Sequence, residues 1–295
     1  MMRHAQEHGY AVPALNVVDD LSLRAVVAAA RRLASPVIVQ ASVKTARAIG
    51  VDLLTRMFET ASAAAGVPIA LHLDHCPDEG LIREVVEAGW SSVLFDASSL
   101  DYDEAVTRTR RVVDYAHAHG VDVESEIENI VGVEDGVGSD SLVHSYSPER
   151  LVEAAEKTGA DLLAPQLGTQ HGQYTRRPRL LPERVHDIRR LTDRPIVLHG
   201  GTGLTGDQFR AFIEAGISKI NVSTALKRSY MGSALESLRE AEAGDVWDPP
   251  VLFRAIETSV EQTVGEHIAM FGAGGWAVDS ASACSAGGRM QGRRR

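Results

Sequence analysis

The stretch 195–222, PIVLHGGTGLTGDQFRAFIEAGISKINV, contains one complete strand–helix–strand unit. Pro195–His199 and Ser218–Val222 are short runs rich in β-branched residues, as in strands buried on both faces of a parallel sheet. Between them Thr205–Ala215 has helical spacing and ends at Gly216, a residue favoured at helix C-termini. A helix that joins two such strands predicts an α/β fold with a parallel sheet.

The same unit recurs along the chain. Eight strand–helix units within about 240 residues predict a (β/α)8 TIM barrel, with a C-terminal helical extension. A doubly wound open sheet has the same local pattern, but the first strand–helix turn lacks the glycine-rich dinucleotide fingerprint. The predicted strands are Ala11–Asn16, Pro36–Ala41, Pro68–Leu73, Ser92–Phe95, Val121–Ile127, Asp161–Leu167, Pro195–His199 and Ser218–Val222. The predicted helices are Leu21–Leu33, Glu79–Ala88, Asp101–Ala118, Pro148–Thr158 and Thr205–Ala215.

The domain organisation follows from this count. We expect one barrel domain over residues 1–272, in which Pro249–Phe271 forms a packing helix. Residues 273–295 are rich in small residues and end in three arginines, which predicts a disordered tail.

Composition limits the classes of function. The chain has 295 residues, 44% of them hydrophobic, and a formal net charge of −10. That charge argues against a nucleic-acid or membrane-surface partner, and no apolar run reaches the length of a membrane span. The two cysteines, Cys76 and Cys284, exclude a disulfide framework and favour the reducing cytoplasm.

Three histidines fall at predicted strand ends. His75, His171 and His199 follow the third, sixth and seventh strands, so a barrel brings them to one rim. Three imidazoles around one opening are a ligand set for a catalytic zinc-type ion. His72 also lies on the third strand, and we expect it to be a core residue or a partner of the site. The other histidines lie on predicted helices or near the N-terminus, where ordinary roles are expected.

Two further signals accompany the histidines. Gly200, Gly201 and Thr202 lie between a strand and a helix, and Ser223 and Thr224 follow the next strand. Backbone N–H groups at such turns form an anion cradle, and the loops after strands seven and eight are the usual phosphate site of these barrels. The long acidic loop that contains Glu134 is a suitable place for a general base.

Eight motifs together resemble one enzyme family. From about Ala5 to Gly272 the chain is similar to the class II, metal-dependent fructose/tagatose-bisphosphate aldolases, and specifically to their bacterial ketose-bisphosphate subgroup. The motifs that carry the resemblance are Tyr10–Asn16 (YAVPALN), His72–His75 (HLDH), Phe95–Ser98 (FDAS), Val123–Glu126 (VESE), Gly132–Asp135 (GVED), Gly168–Tyr174 (GTQHGQY), Leu198–Gly203 (LHGGTG) and Ile220–Thr224 (INVST).

The resemblance implies a role for each site residue. His75, His171 and His199 match the zinc ligands, and Asp96 and Glu126 match secondary metal positions. Asp74 matches the acid/base at the cleaved bond, and Glu134 matches the loop residue that exchanges the proton of dihydroxyacetone phosphate. The substrate and phosphate contacts implied are Asn16, Ser42, Gly172, Gly200, Gly201, Thr202, Asn221, Ser223 and Thr224. A second divalent ion, a monovalent cation (Na+ or K+) and a homodimer or homotetramer are also implied.

The chemistry agrees with this assignment. Retro-aldol cleavage needs an electron sink, and the few lysines include no evident Schiff-base nucleophile; Lys219 alone lies inside a predicted strand. A Lewis-acidic metal ion can take that role. We therefore expect cleavage of a ketose (bis)phosphate to dihydroxyacetone phosphate and an aldehyde, with fructose or tagatose 1,6-bisphosphate as the leading substrates.

Departures from the family pattern leave alternatives open. Glu128 and Val131 replace glycines, and the charge of Glu128 is expected to fall near the second metal position. Thr175 replaces a phosphate-binding lysine, and Glu257 replaces a basic residue for the distal phosphate. The N-terminus is short by about half a helix before Ala5 relative to the family, which leaves a truncated or a misassigned start as alternatives. A ketose monophosphate, another sugar-acid phosphate, a catalytically impaired sugar-phosphate-binding barrel and another metal-dependent isomerase or hydrolase are the alternatives.

Overall fold

The computed structural model describes residues 1–134, 137–139, 141–172, 174 and 178–277, with the backbone alone at 133, 134 and 137–139. Eight parallel strands close into a barrel in the spatial order β1-β10-β9-β8-β5-β4-β3-β2, and β6 and β7 form a separate hairpin. The strands are β1 (Val12–Asn16), β2 (Val37–Ser42), β3 (Ile69–Cys76), β4 (Ser92–Asp96), β5 (Asp122–Glu126), β6 (Gly132–Glu134), β7 (Val137–Ser139), β8 (Leu162–Leu163), β9 (Ile196–Leu198) and β10 (Ile217–Val222). The TIM-barrel prediction is confirmed, because the ring closes through β1 and β10.

Helices cover the outside of this barrel. They are α1 (Met2–His8), α2 (Asp20–Arg32), α3 (Val43–Ile49), α4 (Val51–Ser62), α5 (Glu79–Glu87), α6 (Tyr102–Ala118), α7 (Pro148–Thr158), α8 (Pro182–Arg189), α9 (Gly206–Ala215), α10 (Thr224–Gly244) and α11 (Pro249–Met270). Local chemistry sets several ends: Asp19 with Ser22 and Thr205 with Gln208 form capping boxes at α2 and α9. None of the helices in the described part of the chain combines the length and the apolar character that a membrane span requires.

The predicted sixth strand is shorter than expected. Only Leu162 and Leu163 pair with β5, although the apolar run continues to Leu167. Pro165 lies in this run, and a proline has no N–H to donate to a neighbouring strand. The chain therefore leaves the barrel early, and the long segment that follows contains His171.

Strand β3 is irregular at its carboxyl end. Its pairing with β4 shifts register between Leu73 and Cys76, and His75 adopts a φ of 46°, which is rare for a residue other than glycine. In a regular strand, consecutive side chains point to opposite faces. The bulge allows Asp74 and His75 to face the same site, which the sequence pattern did not predict.

The C-terminal extension packs against the barrel. Ile256, Val260, Val264 and Ile268 repeat every four residues on α11 and are buried, and this face meets α2. The tail was expected to start at residue 273. Instead, residues 273–277 pack on the barrel, and the rest of the expected tail, 278–295, lies outside the described residues.

Two kinds of contact hold residues 273–277. The amides of Gly275 and Ala277 donate hydrogen bonds to the carbonyls of Leu33 and Ala34. The ring of Trp276 stacks on Tyr10 at 5.1 Å between centroids. The hydrogen bonds satisfy backbone N–H groups, and the stack covers apolar surface next to β1. The part of the chain that packs on the barrel therefore extends to Ala277.

We expect Trp276→Ala to lower the free energy of unfolding by about 1–3 kcal/mol, because it removes an aromatic stack and the apolar area under it. Leu53→Ala is the matched control, since Leu53 is 55% exposed on α4. Urea denaturation of both variants checks this. Equal stability of the two would show that the segment after α11 contributes nothing to the barrel.

Candidate metal centre and active site

Three histidines converge at the carboxyl ends of the barrel strands. His75 lies on the bulge of β3, His171 in the segment after β8, and His199 directly after β9. One ring nitrogen from each lies within 4.8 Å of the others, and all three side chains are buried. The structure thus brings together the three predicted ligands.

The hydrogen bonding of these rings is incomplete in a way that suits a metal ion. Within the described residues, His75 Nε2, His199 Nδ1 and both ring nitrogens of His171 have no hydrogen-bond partner. Buried polar atoms rarely lack a partner, because their desolvation then goes uncompensated. Imidazole lone pairs that face one point are the donors a zinc-type ion takes. The residues present therefore fit a metal ion.

Carboxylates orient two of the rings. His75 Nδ1 hydrogen-bonds Asp96 Oδ2 at 3.1 Å, and His199 Nε2 hydrogen-bonds Glu124 Oε1 at 2.7 Å. Such outer partners fix the tautomer and ring direction of metal-binding histidines. They leave Nε2 of His75 and Nδ1 of His199 to face the candidate metal position, where Nδ1 of His199 also lies 3.0 Å from Glu126 Oε2.

A second possible metal group adjoins the first. His75, Asp96 and Glu126 also place ligand atoms within 4.8 Å of one another. Burial lowers the pKa of His75, but the charges of Glu126 and Asp74 and the hydrogen bond to Asp96 outweigh it and raise that pKa well above the ordinary value. Several buried carboxylates thus create a centre that favours a cation.

Asp74 is held beside this cluster by two amides. Asn16 Nδ2 donates to its Oδ2 at 2.8 Å, and Asn221 Nδ2 donates to its Oδ1 at 3.1 Å. Burial raises the pKa of Asp74, but the neighbouring His75, His199 and Lys219 lower it below the ordinary value. Asp74 is therefore a buried carboxylate in its basic form at neutral pH, next to the candidate metal position.

Comparison with known proteins agrees with this geometry. The family model of class-II fructose-bisphosphate aldolase matches residues 1–276. This chain belongs to the class-II fructose-bisphosphate aldolase family. A fructose-bisphosphate aldolase of Geobacillus stearothermophilus is 36% identical over 283 residues, which cover 94% of this chain and 97% of that protein.

Solved structures of aldolases have the same fold. A structure described as a fructose-1,6-biphosphate aldolase from Coccidioides immitis superposes with a TM-score of 0.85 at 30% identity, covering 94% of this chain and 96% of that one. The YdjI aldolase from Escherichia coli superposes with a TM-score of 0.79 at 27% identity, with the same coverages. Family membership confirms the prediction of an aldolase, a carbon–carbon lyase of carbohydrate metabolism.

Gln40 is a site residue of this aldolase that sequence reasoning missed. Its Nε2 donates to Asn16 Oδ1 at 2.9 Å, and Asn16 in turn holds Asp74. Asn16 was expected to contact substrate, and here its amide group is used to position the carboxylate. A buried polar residue inside the otherwise apolar strand β2 was the available signal.

Lys219 of the aldolase lies deep in the barrel, against expectation. Its side chain is 1% exposed, and its ammonium group is hydrogen-bonded to the equally buried Glu124. Glu124 also accepts from His199, so one carboxylate joins the lysine to a candidate ligand. His72 lies beside this pair, bonded to Ser92 Oγ at 2.8 Å, with its pKa lowered to about 3 by burial and by Lys219. Lys219 is desolvated, as a nucleophile would be, but its charge is already paired.

The expected phosphate residues line the same rim of the aldolase. Ser223 is buried and its Oγ has no partner within the described residues. Gly200 has a φ of 68°, and a Cβ there would lie 2.4 Å from the carbonyl of Gln170, so no larger residue fits. Gly201 and Thr202 follow it, Thr224 begins α10, Gly172 follows His171, and Ser42 caps α3 through the amide of Thr45.

The structure describes only part of the acidic loop of the aldolase. Glu134 ends β6, where it pairs with Val137, and its side chain lies outside the described residues, as do Asp135 and Gly136. Glu128 was expected near the second metal position. In the structure Glu128 is fully buried in an ion pair with Arg184 at 2.7 Å, and it is not one of the residues of the second candidate metal group.

We expect Lys219→Met to lower the free energy of unfolding by about 3–5 kcal/mol, because it leaves the buried Glu124 charge unpaired. The double variant Lys219→Met/Glu124→Gln removes both charges and should recover much of that loss. Chemical denaturation of the single and double variants measures the difference. A double variant no more stable than the single one would contradict the ion-pair explanation.

Proposed function

We propose that this protein is a zinc-dependent aldolase that cleaves a ketose 1,6-bisphosphate reversibly to dihydroxyacetone phosphate and an aldehyde. Fructose and tagatose 1,6-bisphosphate are the leading substrates. The observation that carries the proposal is the buried Asp74 carboxylate, held by two amides beside three histidines whose ring nitrogens lack hydrogen bonds within the described residues.

The residues suit the two halves of the reaction. A zinc ion bound by His75, His171 and His199 would act as a Lewis acid that polarises the ketone of the substrate. Asp74 removes the proton of the C4 hydroxyl, the C3–C4 bond breaks, and the aldehyde leaves. The electron pair stays on C3, which Glu134 protonates to give dihydroxyacetone phosphate. In the reverse direction the same groups carry the condensation.

A Schiff-base route is less favourable in this barrel. Lys219 is the buried lysine at its centre, and its ammonium is bonded to Glu124 with His72 Nε2 at 3.5 Å. A Schiff-base lysine must direct its nitrogen at the substrate ketone, and here that nitrogen is engaged by Glu124 inside the barrel. Lys219 therefore supports His199 through Glu124 instead of attacking a ketone.

The remaining site residues supply substrate binding. The amides and hydroxyls of Gly172, Gly200, Gly201, Thr202, Ser223, Thr224 and Ser42, with Asn221, are proposed to bind one phosphate and the sugar. A second divalent ion would use His75, Asp96 and Glu126, and a monovalent cation would lie near the phosphate. Glu257 is paired with Arg24 at 2.6 Å, so it offers no contact for a second phosphate. A ketose monophosphate is therefore the second candidate substrate.

We also propose that the protein forms a homo-oligomer, a dimer or a tetramer, through helix α10 and the turn that follows it. Met231, Leu235 and Leu238 lie on one face of α10 and are 65%, 50% and 48% exposed, and Trp247 in the following turn is 65% exposed. Exposed apolar surface of this kind marks an interface.

We further propose a cytoplasmic location, which the low cysteine count supports.

The purified, zinc-loaded protein is expected to release dihydroxyacetone phosphate from fructose or tagatose 1,6-bisphosphate. The assay includes both 1,6-bisphosphates, both 1-phosphates and a tight chelator in parallel. Cleavage of the 1-phosphates alone would select the second candidate substrate. Absence of triose phosphate in every reaction would reject the aldolase proposal, and cleavage that survives chelation would reject the metal.

Asp74→Ala is expected to lower turnover by at least about 100-fold, the scale of general acid–base catalysis. Asp78→Ala is the matched control, because Asp78 follows the same strand but caps α5 and pairs with Arg47. Steady-state rates with the preferred substrate give the comparison. Near-normal turnover of Asp74→Ala would remove this residue from the mechanism.

Replacing Met231, Leu235 and Leu238 together by glutamate should convert the oligomer to a monomer, since buried unpaired charges oppose association. Sedimentation velocity of the wild-type and triple variant measures this. A monomeric wild-type protein at micromolar concentration would contradict the proposed interface.

A further inference from the structure

His171 differs from the other two histidines in how its ring is supported. His75 is hydrogen-bonded to Asp96, and His199 to Glu124. His171 has no hydrogen bond at either ring nitrogen within the described part of the chain. Its direction therefore depends on packing against the rings of His75 and His199 and on its backbone, which is fixed by neighbouring segments.

The segment after β5 holds that backbone. The amide of His171 donates to the carbonyl of Val131 at 2.8 Å, and Val131 forms a parallel bridge with Gln170. Gly132 has a φ of 107°, and a Cβ there would lie 2.6 Å from the carbonyl oxygen of His171. The two backbones are thus in direct contact, so a shift of residues 131–132 would move His171.

Residues 128–129, just before this contact, are anchored by side chains. Glu128 Oε1 accepts from the amide of Tyr146 at 2.6 Å, and its Oε2 accepts from the amide of Gln166 at 2.9 Å. Arg184 donates to Glu128 at 2.7 Å and to the carbonyls of Gln166 and Tyr146 at 2.8 and 2.6 Å. Asn129 adds bonds to Ser141, Val143 and His144.

These bonds form a closed ring that ties three segments to α8. Glu128 is fully buried and the Arg184 side chain is 12% exposed. Because both charges are shielded and every oxygen of Glu128 is used, the arrangement tolerates little movement. This set of hydrogen bonds holds residue 128, which precedes the contact with His171, and residue 166, which precedes His171 itself.

We propose that the buried Glu128–Arg184 pair is a positioning device for His171, which replaces the side-chain partner that the ring lacks. The inference rests on the metal role proposed for His171. Neither Glu128 nor Arg184 belongs to a candidate metal group, and they act through the backbone contact between Val131 and His171. Without the pair, only the bonds of Asn129 anchor the segment before Val131, and the direction of the third ligand is held less firmly.

Two readouts test this on the full-length protein without substrate. Zinc affinity, measured by competition with a chromophoric chelator, should fall about 10–100-fold in Glu128→Gln and in Arg184→Met, the range for loss of an outer partner of a metal ligand. In the zinc-free protein, hydrogen exchange of the His171 amide should become faster in both variants. Arg184→Lys keeps the charge and should recover part of both properties.

Arg108→Met is the matched control, because Arg108 forms a partly buried pair with Glu79 at 2.8 Å between the outer helices α5 and α6. It should lower the melting temperature and leave zinc affinity and His171 exchange unchanged. Glu128 and Arg184 variants that fold and bind zinc within twofold of the wild type would overturn the proposal. An equal loss of zinc affinity in the Arg108→Met control would also overturn it. If Arg184→Met does not fold, Glu128→Gln and Arg184→Lys decide the question.

The outcomes also separate this inference from the proposed aldolase reaction. Weaker zinc binding and faster His171 exchange in the Glu128 and Arg184 variants would support the positioning role even if no ketose phosphate is cleaved. The wild-type protein could instead cleave its substrate with zinc while the variants keep their zinc affinity and His171 exchange unchanged. That result would support the aldolase reaction and reject the positioning role of the Glu128–Arg184 pair.

Discussion

The charge balance at the centre of the barrel is the constraint on which the site depends. Asp74, Asp96, Glu124 and Glu126 are all buried at or just below the carboxyl ends of the strands. Buried carboxylates this close in the barrel are costly unless a cation or a proton neutralises them. Lys219 pairs with Glu124, and a metal ion among the histidines would offset the charge of the others. The packing of this core therefore depends on how its charges are paired.

This constraint gives each layer of the site a separate task. Histidines face the candidate ion, carboxylates orient two of them, and amides of Asn16 and Asn221 hold the carboxylate of Asp74. The third histidine is supported by backbone contacts that lead to the Glu128–Arg184 pair. Loops that follow different strands must therefore keep their relative positions, although no covalent bond or strand pairing connects most of them.

Much of this could be predicted from the order of residues. The barrel, its eight strands and the convergence of His75, His171 and His199 followed from strand ends that parallel packing brings to one rim. The prediction erred where side chains interact across the barrel. Gln40 was part of a predicted strand with no role assigned, Lys219 was not expected to be desolvated, and nothing in the sequence paired Glu128 with Arg184. In each case the partner is distant in sequence: 24 residues separate Gln40 from Asn16, and 56 separate Glu128 from Arg184.

The sequence by itself determined the fold class, the family and the chemical types at the rim, because hydrophobic periodicity and short motifs are local properties. The tertiary structure decided how these groups are used. The bulge at His75 turns two consecutive side chains to one site, the outer carboxylates select which ring nitrogens remain available, and a buried ion pair anchors the segment that holds His171. Such features depend on which distant side chains share a desolvated space, and only the closed barrel sets those distances.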